Sequence, residues 1–277
     1  MSTTFNSAAS KTVAVDGANF VYREIGEKST TPVVLLHHLT AVLDDWDPRI
    51  VDGLAAKHHV IVFDNRGVGA SGGATPTTVE AMARDAVAFV GALGFSKVDL
   101  LGFSLGGFVA QVIAQQHPDL VRKIILAGTG PAGGEGIANV GAVLQDAFGK
   151  AGATKNPKQF LFFTQTNNGQ AAADDFLQRL KERTKDLDTP VSNETVQAQL
   201  AAIQAWGKGE AATLATVRHP VLVANGDDDV MVPTLNSFEL ARRLPNAQLS
   251  IFPDAGHGGI FQYHSAFVQQ ALAFLHQ

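Results

Sequence analysis

The stretch VDLLGFSLGGFVAQ, residues 98–111, constrains the fold of this chain more than any other. It opens with a short apolar run, which is typical of a buried strand. The turn GFSLGG follows, and apolar residues then recur with helical spacing until Pro118 ends the pattern. Ser104 should therefore lie on a sharp strand-to-helix turn in a strained backbone conformation. Glycine at 102 and 106 removes the side chains that would crowd this turn.

Such a turn presents a serine hydroxyl beside the free N–H groups of a helix start, which favours attack on a polarised carbonyl. The pattern G-x-S-x-G is a weak signal alone, because the chain contains 27 glycines. Ser104 could instead be an ordinary helix N-cap in a glycine-rich connection. A phosphate-binding loop is excluded, since GFSLGG lacks the lysine of that motif. The remaining machinery must therefore be sought elsewhere in the chain.

The overall composition narrows the class of protein. The 277 residues, 45% of them hydrophobic, can form one large domain or two small ones around a sizeable core. The net charge is −5 and no block of like charges occurs, which argues against nucleic-acid or membrane-surface partners. Without cysteine there is no disulfide, Cys-ligated zinc or thiol nucleophile. We find no signal-peptide pattern and no apolar run of membrane-spanning length, and we expect a cytoplasmic protein.

Periodicity along the chain predicts eight strands and a group of helices. A hairpin opens the chain, and alternating strands and helices follow. The predicted strands cover residues 12–15, 20–25, 32–37, 60–63, 98–101, 123–127, 220–224 and 248–252. The predicted helices cover residues 46–54, 78–93, 174–185, 236–244 and 261–275.

This order predicts an α/β fold with a mostly parallel eight-stranded sheet and helices on both faces. Helical segments without a convincing strand interrupt it after strand 6. We therefore expect a core domain of residues 1–130 and 214–277, with residues 131–213 as a helical cap. Ligands bind at the carboxyl edge of such sheets, so the cap should lie over Ser104.

A serine nucleophile needs a base and a group that orients the base. Among nine histidines, His257 follows the last strand in the glycine-rich segment DAGHGG, at the same sheet edge as Ser104. The acid should come from the loop after the preceding strand, NGDDDVMVP. That loop offers Asp227, Asp228 and Asp229, and a solvated acidic turn is the alternative for each.

The order Ser104, acid, His257, with the GFSLGG turn and the DNRGVGAS loop, resembles the α/β-hydrolase superfamily. The likeness covers residues 12–130 and 214–277. Within that superfamily, the chain is similar to capped single-domain esterases, lactonases and cofactor-free haloperoxidase-like proteins. The family's loop pattern G-x-x-D-x-x-V-P falls on Gly226, Asp229, Val232 and Pro233, so the resemblance implies Asp229 as the acid. It implies no cofactor and no metal.

The family's oxyanion hole implies two backbone donors in this chain. One is the N–H of Leu105, after the nucleophile. The other is the N–H of Leu39, after the pair His37-His38 that ends a strand. His38 occupies the family's glycine position, where its imidazole could narrow the acyl side or add a donor. His37 and His38 could equally be buried packing residues.

Several aromatic residues are candidates for the substrate site. The segment FLFF brings Phe160, Phe162 and Phe163 into the cap, and Trp206 lies further along it. Such residues are more often core than pocket, but a small cap has little core of its own. An apolar cavity favours medium-chain or aromatic acyl groups. The substrate-binding candidates are His38, Phe103, Phe162 and Trp206.

Two acidic segments have structural explanations. Asp64 and Arg66, in the DNRG loop, should brace that loop. Asp44 and Asp45 could suggest metal ligands, but adjacent carboxylates project apart, and we expect a surface turn there.

Together these features predict a serine hydrolase of the carboxylic-ester class (EC 3.1.1). It would cleave an apolar ester or lactone through an acyl-enzyme, as a monomer or homodimer. A relative acting on another bond, by perhydrolysis or C–C hydrolysis, is the first alternative. A ligand-binding receptor that retains the triad is the second.

Overall fold

The computed structural model describes residues 3–210 and 213–277. Within them, eight strands form one sheet, and each lies where the sequence pattern predicts a strand. They are β1 (Lys11–Val15), β2 (Ala18–Ile25), β3 (Val33–Leu36), β4 (Val60–Phe63), β5 (Val98–Phe103), β6 (Val121–Ala127), β7 (Val221–Gly226) and β8 (Ala247–Phe252).

The sheet has the order β1-β2-β4-β3-β5-β6-β7-β8. Strand β2 pairs antiparallel with β1 and β4, and the pairs from β4 to β8 are parallel. Every residue of β3, β4 and β5 is buried, so both faces of the sheet are covered at its centre. This is the predicted mostly parallel α/β sheet, with the central strand β5 leading into the Ser104 turn.

Six of the described helices belong to the sheet layers: α1 (Pro48–Ala55), α2 (Val79–Ala92), α3 (Leu105–Gln116), α8 (Leu235–Arg243), α9 (Gly259–Gln262) and α10 (His264–His276). Four others lie between β6 and β7, in residues 131–213, which we call the insertion. They are α4 (Val140–Ala151), α5 (Lys158–Leu161), α6 (Asn167–Arg179) and α7 (Asn193–Lys208). None of the helices in the described part of the chain has the length and apolar content that a bilayer crossing would need.

Two predicted helices differ from those observed. The hydroxyl of Thr166 accepts a bond from the N–H of Gly169 and caps α6, so this helix begins at Asn167 rather than Asp174. The predicted closing helix is divided at Tyr263 into α9 and α10. Periodicity predicted both segments, but the cap at Thr166 and the non-helical ψ of 36° at Tyr263 set their boundaries.

Candidate active site

Ser104 stands between β5 and α3 on a strained turn. Its φ is +56° and its ψ is −118°, a conformation that costs a non-glycine residue on the order of 1–3 kcal/mol. Flanking glycines are required, since a Cβ on Gly102 would lie 2.4 Å from the carbonyl oxygen of Gly106. A Cβ on Gly106 would lie 2.1 Å from the carbonyl oxygen of Leu36. The turn thus holds Ser104 at the carboxyl edge of the sheet, with 5% of the residue exposed.

Thr129, on the loop that follows β6, braces this turn. Its hydroxyl donates to the carbonyl oxygen of Ser104 at 2.8 Å, and the N–H of Ser104 donates to the carbonyl oxygen of Ala127 at 2.9 Å. A Cβ on Gly107 would lie 2.5 Å from the Thr129 side chain. Thr129 was not among the residues predicted from the sequence, because no local pattern distinguishes such a threonine.

His257 and Asp229 form a buried pair on the loops after β8 and β7. Nδ1 of His257 lies 2.8 Å from Oδ2 of Asp229. The other carboxylate oxygen accepts from the N–H groups of Met231 at 2.8 Å and Val232 at 2.9 Å. Because an ionised carboxylate only accepts, Nδ1 of the ring carries the proton and Nε2 keeps its lone pair. The other two acids of this loop, at 227 and 228, are exposed.

Phe103, the neighbour of Ser104 in sequence, contacts the ring of His257 and so brings the two loops together. The ring centroid of Phe103 lies 4.9 Å from that of His257. A Cβ on Gly128 would lie 2.7 Å from the Phe103 ring and 3.2 Å from Nδ1 of His257, so only glycine fits between them. No hydrogen bond joins the Ser104 hydroxyl to the imidazole among the described residues.

The two expected oxyanion donors have free N–H groups. Neither Leu39 nor Leu105 donates a backbone hydrogen bond within residues 3–210 and 213–277. The next residue, Thr40, has a φ of +64°, and its N–H donates to Oε1 of Gln199 at 2.8 Å. Helix α7 of the insertion thereby helps to hold the loop that carries Leu39.

Four rings pack together beside the nucleophile: His38, Phe103, Phe162 and His257, which we call the aromatic cluster. The His38 ring contacts Phe103 at 5.3 Å and Phe162 at 5.2 Å between centroids. Phe162 in turn lies 5.4 Å from His257, and its carbonyl oxygen accepts from the N–H of Gly258 at 2.7 Å. The insertion therefore reaches the His257 loop directly. Only 2% of His257 is exposed, so this packing shields the imidazole from solvent.

Trp206 lies apart from this cluster. Its ring stacks on Phe108 of α3 at 5.2 Å, and its Nε1 donates to the carbonyl oxygen of Gly130 at 3.3 Å. In the described part of the chain it makes no ring contact with the aromatic cluster. Of the four candidates for substrate binding, the structure brings together His38, Phe103 and Phe162 and leaves Trp206 against α3.

His37 lies behind the cluster in a buried polar chain. Its Nδ1 accepts from Nε1 of Trp46 at 2.7 Å, so its Nε2 donates to Oδ1 of Asp64 at 3.1 Å. Burial lowers the pKa of His37 to about 4. Burial and the neighbouring carboxyl group of Asp188 raise the pKa of Asp64 well above its usual value. A raised pKa favours the protonated form of Asp64, whose Oδ2 is buried without a hydrogen-bond partner in the described residues.

The acidic segment around Trp46 is not the expected surface turn. The carboxylates of Asp44 and Asp45 are only 16% and 23% exposed, and that of Asp47 is fully buried. Each faces a cation of the insertion, and no metal-ligand cluster occurs in the described residues. The pairs are Asp45 with Lys158, Asp47 with Arg179 at 2.8 Å and Asp44 with Arg183 at 3.7 Å. These contacts hold the insertion over the core.

Fold and turn together define a class, the α/β proteins with a serine on the turn after the central parallel strand. A model of the alpha/beta hydrolase fold matches residues 31–262. The chain belongs to this family.

Known proteins similar to this chain agree with that membership. An alpha/beta hydrolase fold protein from Chitinophaga pinensis superposes with a TM-score of 0.96 at 40% identity, over 98% of both chains. The provisionally named carbamate hydrolase RutD of a Caulobacter species is 30% identical over 83% of this chain and 85% of its own. A solved N-acyl homoserine lactone degrading enzyme superposes with a TM-score of 0.76 at 25% identity, covering 95% of this chain and 100% of its own.

Proposed function

We propose that this hydrolase cleaves a carboxylic ester or a lactone through Ser104, His257 and Asp229. The observation that carries the proposal is the 2.8 Å contact between Nδ1 of His257 and Oδ2 of Asp229 beside the strained serine turn. The carboxylate fixes the tautomer in which Nε2 is free to accept a proton. A serine hydroxyl becomes a nucleophile when such a base takes its proton.

The reaction would proceed in two halves. Oγ of Ser104 bonds to the carbonyl carbon while Nε2 of His257 takes the hydroxyl proton. The tetrahedral intermediate then collapses, and the leaving alcohol takes that proton as its bond to carbon breaks. Water repeats the sequence on the acyl-enzyme and frees the acid. Because Ser104 and His257 are not yet hydrogen-bonded, the serine side chain must turn toward the ring, as contacts of this kind tighten on substrate binding.

Negative charge on the carbonyl oxygen would be stabilised by the N–H groups of Leu39 and Leu105. Preorganised donors at that position are worth about 10²–10³ in kcat each. Both groups lack a protein partner in the described residues, so they can bind the oxyanion without breaking an existing bond.

Residues 131–213 would act as the cap over a core of residues 1–130 and 214–277. The ion pairs to the acidic segment and the contact of Phe162 with His257 support this division. The cap places an apolar ring next to the base, so the acyl group should be apolar. Phe162, Phe103 and His38 would line its site, with Trp206 supporting α3 from the other side. The similarity to a lactone-degrading enzyme supports a lactone as well as an open-chain ester.

Labelling with a fluorophosphonate tests the nucleophile. Wild-type protein should be labelled, and Ser104→Ala should not. Ser237→Ala is the matched control, because Ser237 is also buried but its hydroxyl accepts from the side chain of Asn225, away from His257. In turnover assays with p-nitrophenyl esters and lactones, Ser104→Ala should lose on the order of a million-fold in kcat. If the wild-type protein is not labelled, the proposal is wrong. If only diketones are turned over, the reaction is C–C hydrolysis rather than ester or lactone cleavage.

A further inference from the structure

His38 is an unusual residue at the edge of the active site. It directly precedes Leu39, the proposed oxyanion donor, and its ring packs against Phe103, next to Ser104. Only 4% of the residue is exposed. A substrate carbonyl held by the two backbone donors would thus have its acyl substituent beside this imidazole.

The tautomer of His38 follows from its contacts. Nδ1 lies 2.8 Å from the carbonyl oxygen of Leu39. A carbonyl can only accept, so Nδ1 carries the hydrogen. Burial, and then the nearby charge of Lys158, lower the pKa of His38 to about 3, so the ring is neutral. Nε2 is therefore a lone-pair acceptor and cannot be the extra oxyanion donor that the sequence allowed.

This acceptor is buried without a hydrogen-bond partner in the described residues. Leaving a buried polar atom unsatisfied costs the free energy of removing that atom from water with no bond gained in return. A glycine, the family's residue at this position, would avoid that cost. The polar atom therefore needs a partner that the protein itself does not supply.

We propose that Nε2 of His38 accepts a hydrogen bond from an N–H or O–H group on the acyl side of the substrate, so that the enzyme prefers acyl groups carrying a donor next to the carbonyl. The inference rests on the proposed function and adds a substrate class to it. Carbamates bear N–H on the carbonyl carbon, and N-acyl homoserine lactones bear it one atom further away. Both compound classes occur in the names of proteins similar to this chain.

Two substrates of nearly equal shape, one with and one without an N–H group beside the carbonyl, test the contribution of that hydrogen-bond donor. p-Nitrophenyl N-methylcarbamate presents N–H where p-nitrophenyl propionate presents CH₂. The second-order rate constant for release of p-nitrophenolate gives the acylation rate for each, and their ratio is compared between proteins so that intrinsic reactivity cancels. His38→Phe should lower the carbamate-to-propionate ratio roughly three- to tenfold, the effect of losing one hydrogen bond.

His38→Leu provides a second acceptor-free variant should the phenylalanine not fit. His59→Phe is the control. His59, which directly precedes β4, is also buried with one unpartnered ring nitrogen. Its other ring nitrogen contacts Glu24 of β2, away from the active site. Its ratio should equal that of the wild type. An unchanged ratio in the His38 variants overturns the inference, as does an equal loss on both substrates, which would show that His38 only shapes the Leu39 loop. If wild-type protein reacts with neither substrate, the proposed function fails instead.

Discussion

Replacing Asp64 by asparagine should change how the stability of the protein depends on pH. In the fold, Asp64 accepts from Nε2 of His37, and burial together with the neighbouring carboxyl group of Asp188 raises its pKa. An asparagine has the same shape, and its amide can accept from His37 but cannot titrate. The variant therefore removes one titration and leaves the packing intact.

The sign follows from where the proton is held. Above the ordinary aspartate pKa of 3.8 the unfolded chain releases this proton, but the folded protein retains it because the pKa of Asp64 is raised. Folding stability of the wild type must then fall with rising pH until the folded-state pKa is passed. For one retained proton, the free energy of unfolding falls by about 1.4 kcal/mol per pH unit. In a domain of this size that is a fall of roughly 3 °C in Tm per pH unit.

Thermal unfolding of both proteins from pH 5 to pH 9 measures the effect. The titratable and charged groups facing Asp64 are His37, Asp188 and Arg23. They are present in both proteins, so the difference in Tm isolates Asp64. That difference should grow in favour of Asp64→Asn across the window and then level off.

Asp254→Asn is the matched control. Hydrogen bonds from Asn168 and Thr164 lower the pKa of this exposed carboxylate. Its difference from wild type should therefore be constant above about pH 5. If the Tm of Asp64→Asn runs parallel to that of wild type across this pH range, or if the difference shrinks as pH rises, the pKa of Asp64 is not raised in the folded protein.

Two further substitutions test the site. Asp229→Asn should reduce kcat about 10⁴-fold with little change in KM, since the imidazole loses its orienting carboxylate. A loss in kcat below tenfold in steady-state kinetics would show that Asp229 is not the acid that orients His257. Gly106→Ala should destabilise the protein by about 3 kcal/mol or more in urea unfolding, because its Cβ would lie 2.1 Å from the carbonyl oxygen of Leu36. A urea unfolding midpoint of Gly106→Ala equal to that of the wild type would contradict the close approach of β3 and α3.

Sequence alone determined the sheet and the placement of the chemistry along it. Short buried strands and amphipathic helices have different periods, so their alternation shows in the residue pattern. The carboxyl ends of parallel strands share one edge, so the strand order alone predicts that Ser104 and His257 lie at that edge. The strained serine turn was likewise predictable, because the required glycines are its neighbours in sequence.

Only the tertiary structure decided which residues meet. Asp229 is buried against His257 while the two preceding acids are exposed, a difference that three adjacent aspartates cannot reveal. Trp206 packs on α3, and the acidic segment pairs with cations more than 100 residues away. The free acceptor on His38 depends on a bond to one carbonyl oxygen. Burial and pairing of these side chains are long-range properties, set by how distant segments pack rather than by local pattern.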